Sequence, residues 1–373
     1  MSSIRILIAT GVFAPDIGGP ATYSKLLADE LPSRGIDVSV LSFRSVRHLP
    51  KAIRHFAYFL KALRASVRAS VVFAQDPVSV GLPAWCAAKI LRKRFILKVV
   101  GDYAWEQYCQ RGAGAKNFLT IEEFQRTRCD FVTELRRKAQ QFVAQRAEKV
   151  IVPSAYLKTI IAQWGVPSEK IQVIYNACET PTISGSKEEA RRALGLQGKI
   201  IVSIGRLVPW KGFLGLIDVV QKMLTELPDL VLVIVGDGPQ KDELEKRAQE
   251  LGVDKHVIFT GRTERENVWR YLKVADVFAL NTAYEGFSHQ ILEAMALGVP
   301  IVTTAVGGNV EAIDDGETGV LVAYNDKEAF VQALRRVLHD GAFADMLAQN
   351  AKKKVGSFST KRMVEETIKA LHI

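Results

Sequence analysis

Short β-branched runs alternate with helix-length amphipathic segments from one end of the chain to the other, and very few folds accommodate that alternation. A crossover of helical length returns the chain to the same end of a sheet, so successive strands must lie parallel. In the first half the runs are IRILIA, DVSVLS, SVVFA, FILKVV, KVIVP and KIQVIY; in the second they are KIIVSIG, LVLVIVG, HVIFTG, DVFALN, PIVTTA and TGVLVA. Between the halves, Asn176 to Gly198 breaks the pattern with Pro, Ser, Thr and Gly and reads as a linker. A chain of 373 residues is also long for one core. The expected fold class is therefore α/β, with two doubly wound, Rossmann-like domains facing each other across a cleft. Their expected bounds are 1–178 and 179–356, and the helical pattern at about 357–373 is expected to pack back on the first domain.

Several function classes are disfavoured at once. The uncharged apolar stretch Pro77 to Ala88 has 12 residues, against about 20 for a membrane span. The opening SIRILIATGVFAP reads as a first strand rather than a signal peptide, so a cytoplasmic location is expected. Cys86, Cys109, Cys129 and Cys178 fit neither a metal-ligand spacing nor a small disulfide framework, and are expected to be reduced. The histidines form no HExxH pattern and there is no GxxxxGK[ST] loop. No bound metal or cofactor is expected.

Charge is unevenly placed. Residues 1–180 carry a net +12 and residues 181–373 a net −2. From Val38 to Gln75 there is no Asp or Glu, while Arg44, Arg47, Lys51, Arg54, Lys61, Arg64 and Arg68 are all present. On a helix, Leu49, Ile53, Phe56, Leu60, Leu63 and Val67 form one apolar stripe, with Lys51, Arg54, Lys61, Arg64 and Arg68 outside it. Two readings stand side by side: the stripe packs on the sheet and the basic face is solvated, or the basic face, with Phe43, Tyr58 and Phe59 beside it, lies on anionic lipid. No nucleic-acid-binding signature accompanies the patch, so nucleic acid is not an expected partner.

Ligands of open α/β sheets bind beyond the carboxyl ends of the strands, and three strings at such ends carry the chemistry. In YEGFSHQILEAMALGVPIV, Gly286 frees the turn and Ser288 is placed to cap a helix from about His289 to Leu297. The backbone N–H groups of Phe287 to Gln290 then offer an anion site, with Glu285 before the helix and Glu293 within it. In SIGRLVPWKGF, Gly205 opens a turn that places Arg206 and Lys211 where two cations suit a diphosphate. In APDIGGPATYS, Gly18 and Gly19 permit close approach of backbone to a ligand, and a helix starts near Pro20. VIVGDGPQ, with Gly236, and HVIFTGR, with Arg262, fall on the same rim.

On these residues the chain resembles the family 4 glycosyltransferases of the GT-B fold. It matches them in order at PDIGG, VIYNACE, GRLVPWKG, VGDGP, the Glu285-x7-Glu293 motif and GGNVEAIDDGETGVLV, over essentially its whole length. The resemblance implies a retaining transfer of a hexose-type sugar from a UDP- or GDP-sugar to a glycan or polyprenyl-linked acceptor, as in bacterial surface-polysaccharide or glycolipid synthesis. It implies no metal, and a basic helix of the N-terminal domain resting on the inner face of the plasma membrane. It puts Arg206 and Lys211 on the donor diphosphate, Glu285 on the sugar near C3, Glu293 on the ribose and Arg262 beside the base. Gly18, Gly19, Gly205, Gly236, Gly286 and the stretch Phe287, Ser288, His289 would line the donor. Asp102 would face the acceptor as a catalytic residue, with Tyr103 and Trp105 shaping that side. One departure is that the family's GGxPE stands here as Gly307, Gly308, Asn309, Val310, Glu311, without the proline. A nucleotide-sugar epimerase and a non-catalytic sugar-nucleotide-binding protein at the membrane are the alternatives.

Overall fold

The computed structural model describes residues 4–16, 18–111, 118–179 and 183–372. The chain forms two compact units: one comprises the chain up to Arg111, Leu119–Asn176 and everything from Thr360 on, and the other is built on Ala177–Ser359.

The first unit is a six-stranded sheet of β1 (Arg5–Thr10), β2 (Asp37–Ser42), β3 (Val71–Ala74), β4 (Arg94–Lys98), β5 (Lys149–Val152) and β6 (Ile171–Val173), in the order β2-β1-β3-β4-β5-β6. Every pairing is parallel. Helices α1 (Gly19–Glu30), α2 (Lys51–Ser66) and α3 (Gly81–Ile90) make the first three crossovers. Then α4 (Tyr103–Cys109), α5 (Ile121–Arg126) and α6 (Phe131–Arg146) lie between β4 and β5, and α7 (Ala155–Gln163) between β5 and β6. The second unit orders its strands β12-β11-β10-β7-β8-β9, again all parallel. They are β7 (Lys199–Ile204), β8 (Leu230–Val235), β9 (Val257–Gly261), β10 (Val277–Leu280), β11 (Ile301–Thr304) and β12 (Val320–Val322). Its helices are α8 (Lys187–Leu194), α9 (Phe213–Met223), α10 (Lys241–Glu250), α11 (Arg265–Val274), α12 (His289–Leu297), α13 (Asn309–Ala312), α14 (Lys327–His339) and α15 (Gly341–Lys354).

Each of the twelve apolar runs holds a strand. The central strands β3, β10 and β11 are buried at every position, as continuous Val/Ile-rich runs must be when helices cover both faces. Edge strand β2 instead alternates toward solvent. Strand order reverses between β1 and β3 in the first unit and between β7 and β10 in the second, and the loops leaving a reversal diverge and open a crevice. In the second unit those loops are Gly205 to Gly212 and Asn281 to Ser288, which hold two of the three sequence motifs.

Helix α2 lies differently from the expectation that its apolar stripe packs on the sheet. Tyr58, Ala62 and Ser66 face inward, and the Tyr58 hydroxyl donates to the Leu41 carbonyl at 2.8 Å. Leu49 and Leu63 are partly buried against that cluster, but Ile53, Phe56, Leu60 and Val67 are 54%, 62%, 49% and 57% exposed. The physical reason is fit. A tyrosine that finds a carbonyl, followed one turn on by alanine and serine, lets α2 approach α3 closely, and the bulky stripe is rotated outward.

The chain ends in α16 (Thr360–Leu371), which belongs to the first unit and buries Met363, Val364, Thr367, Ala370 and Leu371. Its Thr367 hydroxyl meets that of Tyr23 on α1 at 3.0 Å, both buried. Val364→Asp would bury an unpaired carboxylate at a fully enclosed site. Hydrogen exchange should then show lost protection in β1, α1 and α16, with the amides of β7 and β10 unchanged.

Candidate functional site

The crevice of the second unit is assembled from backbone before side chains enter. Ala283 N–H donates to the Trp210 carbonyl at 2.7 Å, the Thr282 hydroxyl donates to the same carbonyl at 3.0 Å, and Asn281 Nδ2 donates to the Gly212 carbonyl at 3.2 Å. The loops after β7 and β10 are thus stitched together. Glycines allow two further close approaches. A Cβ on Gly236, whose φ is +143°, would stand 2.0 Å from the Gly205 carbonyl oxygen, and one on Gly307 (φ +52°) would stand 2.1 Å from that of Glu285. Gly308 N–H then donates to the same Glu285 carbonyl at 2.8 Å. In the Gly307–Glu311 loop, which lacks the proline, buried Asn309 donates through Nδ2 to Thr303 Oγ1 and to the Thr304 carbonyl, both at 3.1 Å.

On this frame Lys211 and Glu285, 74 residues apart, form a direct ion pair, their side chains only 12% and 15% exposed. Arg206 lies at the exposed start of the same loop and Arg262 at the exposed end of β9. Ser288 caps α12 as expected, its hydroxyl accepting from Ile291 N–H at 3.4 Å, and the helix runs from His289 to Leu297. Phe287 is buried against Phe358, with ring centroids 5.2 Å apart, and this fixes the approach to the helix. Gly286 is buried and His289 half-buried beside it.

Glu293 is placed by α12 and has a partner of its own. Arg265 Nε lies 3.3 Å from Glu293 Oε1, stacks over the Trp269 ring, and reaches Glu179 at 3.7 Å. Burial raises the Glu293 carboxyl above the ordinary glutamate range, opposed by the Arg265 charge. Nearby, burial and the Glu293 charge push the Cys178 thiol up to about 12. Arg265 was not legible in the sequence, since a cation in the charged run GRTERENVWR is marked by no motif.

In the first unit, Gly18 is the N-cap of α1, at a φ of +145° that favours glycine, and Gly19 is the first helical residue, with Pro20 next. Arg54 is half-buried; Lys61, Arg64 and Arg68 are exposed, and the side chain of Lys51 lies outside the described residues. Asp102 corrects an expectation. It does not face outward toward an acceptor but is fully buried as the N-cap of α4. Its Oδ1 accepts from Trp105 N–H at 3.0 Å and Gln140 Nε2 at 2.8 Å, and its Oδ2 from Gln125 Nε2 at 2.8 Å. Burial raises its pKa while those bonds oppose the rise. Trp105 is likewise fully buried, its indole donating to the Leu119 carbonyl at 2.8 Å, so it packs the core and does not line a surface; Tyr103 is half-buried.

Two doubly wound α/β units, one with an ion pair fixed across its switch point just before a helix N-terminus, define a class of two-domain, Rossmann-like proteins. Comparison with known proteins gives the family. Residues 17–180 match the family model described as Glycosyltransferase Family 4, and residues 186–354 match Glycosyl transferases group 1. The chain belongs to the family 4 glycosyltransferases, of GT-B fold. It is 35% identical over 234 residues to an uncharacterized glycosyltransferase of Methanocaldococcus jannaschii, a match spanning about 60% of each chain. It is 26% identical over 359 residues to the GDP-mannose-dependent alpha-(1-6)-phosphatidylinositol monomannoside mannosyltransferase of Mycolicibacterium smegmatis, covering 90% of this chain and 89% of that one. Among solved structures, Anabaena HepE in complex with UDP-glucose shares the fold, with a TM-score of 0.80 at 20% identity over 99% of both chains.

If Asp102 is a structural cap, Asp102→Asn turns an amide nitrogen toward a donor, leaving one buried bond unmade. Denaturant unfolding should show a loss of about 1–3 kcal/mol. A variant of unchanged stability that had lost turnover would restore Asp102 to a catalytic part.

Proposed function

We propose that the protein transfers a hexose-type sugar, with retention of configuration, from a UDP- or GDP-sugar to a glycan or polyprenyl-linked acceptor, in the synthesis of surface polysaccharide or glycolipid. The observation that carries this is the Lys211–Glu285 pair held across the switch point of the second sheet. A largely desolvated ion pair returns little net stability, and a ligand that uses both charges explains its presence better. A donor diphosphate takes Lys211, together with Arg206 and the N-terminus of α12, and the freed Glu285 carboxylate accepts hydroxyls of the sugar. Glu293 accepts from the ribose, Arg262 stands beside the base, and Gly205, Gly236 and Gly286 let backbone come close.

In the transfer, the bond between C1 and the diphosphate oxygen breaks while the acceptor oxygen bonds C1 from the same face. The acceptor proton passes to the departing diphosphate oxygen, and Arg206 and Lys211 stabilise its charge. No nucleophile on the protein is required, and these two cations take the counter-ion part without a metal or other cofactor. The M. smegmatis relative acts with GDP-mannose on a phosphatidylinositol mannoside and HepE binds UDP-glucose, which supports both donor classes and a lipid-linked acceptor.

The outward stripe of α2, Ile53, Phe56, Leu60 and Val67, is flanked by Arg54, Lys61, Arg64 and Arg68. An exposed apolar face bordered by cations is the pattern of a helix lying in a membrane interface, and it supports a peripheral position on the inner face of the plasma membrane. Among the described residues no helix is long and apolar enough to cross a membrane.

Thermal unfolding against UDP-, GDP-, ADP- and dTDP-sugars should single out one nucleotide, since specific binding raises apparent stability. With that donor, Arg206→Ala should lower kcat by about 10² to 10³ in a folded protein. Near-normal turnover would refute the assignment, and a changed sugar without acceptor would favour the epimerase. Donor binding needs the ionised Glu293 carboxylate, whose raised pKa favours the neutral form. Affinity should therefore fall on acidification at a pH above the ordinary glutamate range, and Glu293→Gln should flatten that dependence in calorimetric titrations.

A further inference from the structure

At the amino end of the first sheet, remote along the strands from the loops that carry Gly18 and Gly19, lies a cavity of about 710 Å³. It is lined by Arg5, Asp37, Ser39, Lys61, Arg64 and Arg68, with Val67 at its edge. Arg5 and Asp37 are the first residues of β1 and β2, and the other cations come from the last turns of α2 and just beyond. The sole carboxylate among these is matched by Arg5, with Nε 3.0 Å from Asp37 Oδ2. Lys61 reaches only a backbone carbonyl, that of Ser45, at 3.3 Å. Arg64 and Arg68 make no ion pair or side-chain hydrogen bond among the described residues. Three positive charges are thus left uncancelled around one open-sided cavity, a strong surplus with no acidic residue from Val38 to Gln75 to relieve it.

We propose, resting on the assignment of α2 to a membrane surface, that this cavity receives the phosphomonoester head group of an anionic lipid. Charge complementarity selects the occupant. A dianionic phosphate with several acceptor oxygens matches two free guanidinium forks and an ammonium better than a singly charged phosphodiester does. The Ser39 hydroxyl adds a neutral donor to the same wall. Exposed Val67 at the cavity edge continues into Leu60 and Phe56 along the helix, which gives the acyl chains an apolar track leading away from the phosphate. The cavity acts as an anchor and shares no residue with the donor site.

The test is sedimentation of the full chain with phosphatidylcholine vesicles containing either phosphatidic acid or phosphatidylglycerol, matched in surface potential. The wild type should bind the phosphatidic acid vesicles more tightly. Arg5→Gln, which lies off α2 and disrupts only an exposed ion pair, should fold normally. By leaving the Asp37 carboxylate unmatched in the cavity wall, it should cost roughly fivefold in affinity for phosphatidic acid, the size of one interfacial charge, and less for phosphatidylglycerol, whose head group does not enter the cavity. Phe56→Ser should weaken binding to both vesicles. Equal binding of the two lipids, with Arg5→Gln indistinguishable from wild type, overturns the cavity and leaves the membrane assignment of α2 standing. Absence of binding to either vesicle overturns both. If millimolar inorganic phosphate abolishes the preference and also stabilises the protein without vesicles, the occupant is free phosphate and the lipid assignment fails.

Discussion

The ion pair between Lys211 and Glu285 joins the two loops that diverge at the switch point of the second sheet, and the geometry of the candidate site follows from holding those loops together. Parallel strands of buried aliphatic residues fix where the loops begin. Backbone hydrogen bonds from Ala283 and side-chain bonds from Thr282 and Asn281 fix how far they can separate. Only then can an ammonium on one and a carboxylate on the other meet with little water around them. A pair formed this way is a poor source of stability but a well-ordered pair of opposite charges, ready to be separated by a ligand that satisfies each.

Close packing of main chain against main chain is the second constraint. Where Gly236 meets Gly205 and Gly307 meets Glu285, a side chain would overlap a carbonyl oxygen, and the rim stays thin enough for a ligand to contact backbone N–H groups. The helix N-terminus at Ser288 completes that surface. In the first unit a comparable rim after β1 begins α1 at Gly19, while the rim after β4 is closed by Asp102, whose carboxylate is consumed within the fold.

Sequence pattern carried the architecture well because burial on both faces of a parallel strand leaves an unbroken apolar run that little else produces. DVSVLS is β2 residue for residue, and the cap and both ends of α12 were legible from Ser288 and the periodicity after it. Helix α2 shows where pattern stops. Periodicity located an apolar stripe but not the side that meets the sheet, and Tyr58, Ala62 and Ser66 won that side through shape and one hydrogen bond. Asp102 was placed toward the acceptor by the family resemblance, and the partners that satisfy it, Gln125 and Gln140, are distant in sequence and unremarkable there. Arg265 and the cavity at Arg5 were invisible for the same reason, since both depend on residues that only the fold assembles.

The central claim is that Lys211 and Glu285 act as one unit on the donor. A double-mutant cycle on turnover tests it most directly, with Lys211→Ala, Glu285→Gln and the combination compared under saturating donor. Strong coupling is predicted: the double variant should be little slower than the slower single variant, because each change already disables the shared arrangement. If the two losses simply multiply, the residues contribute independently, and the pair seen in the structure is not the working element of the site.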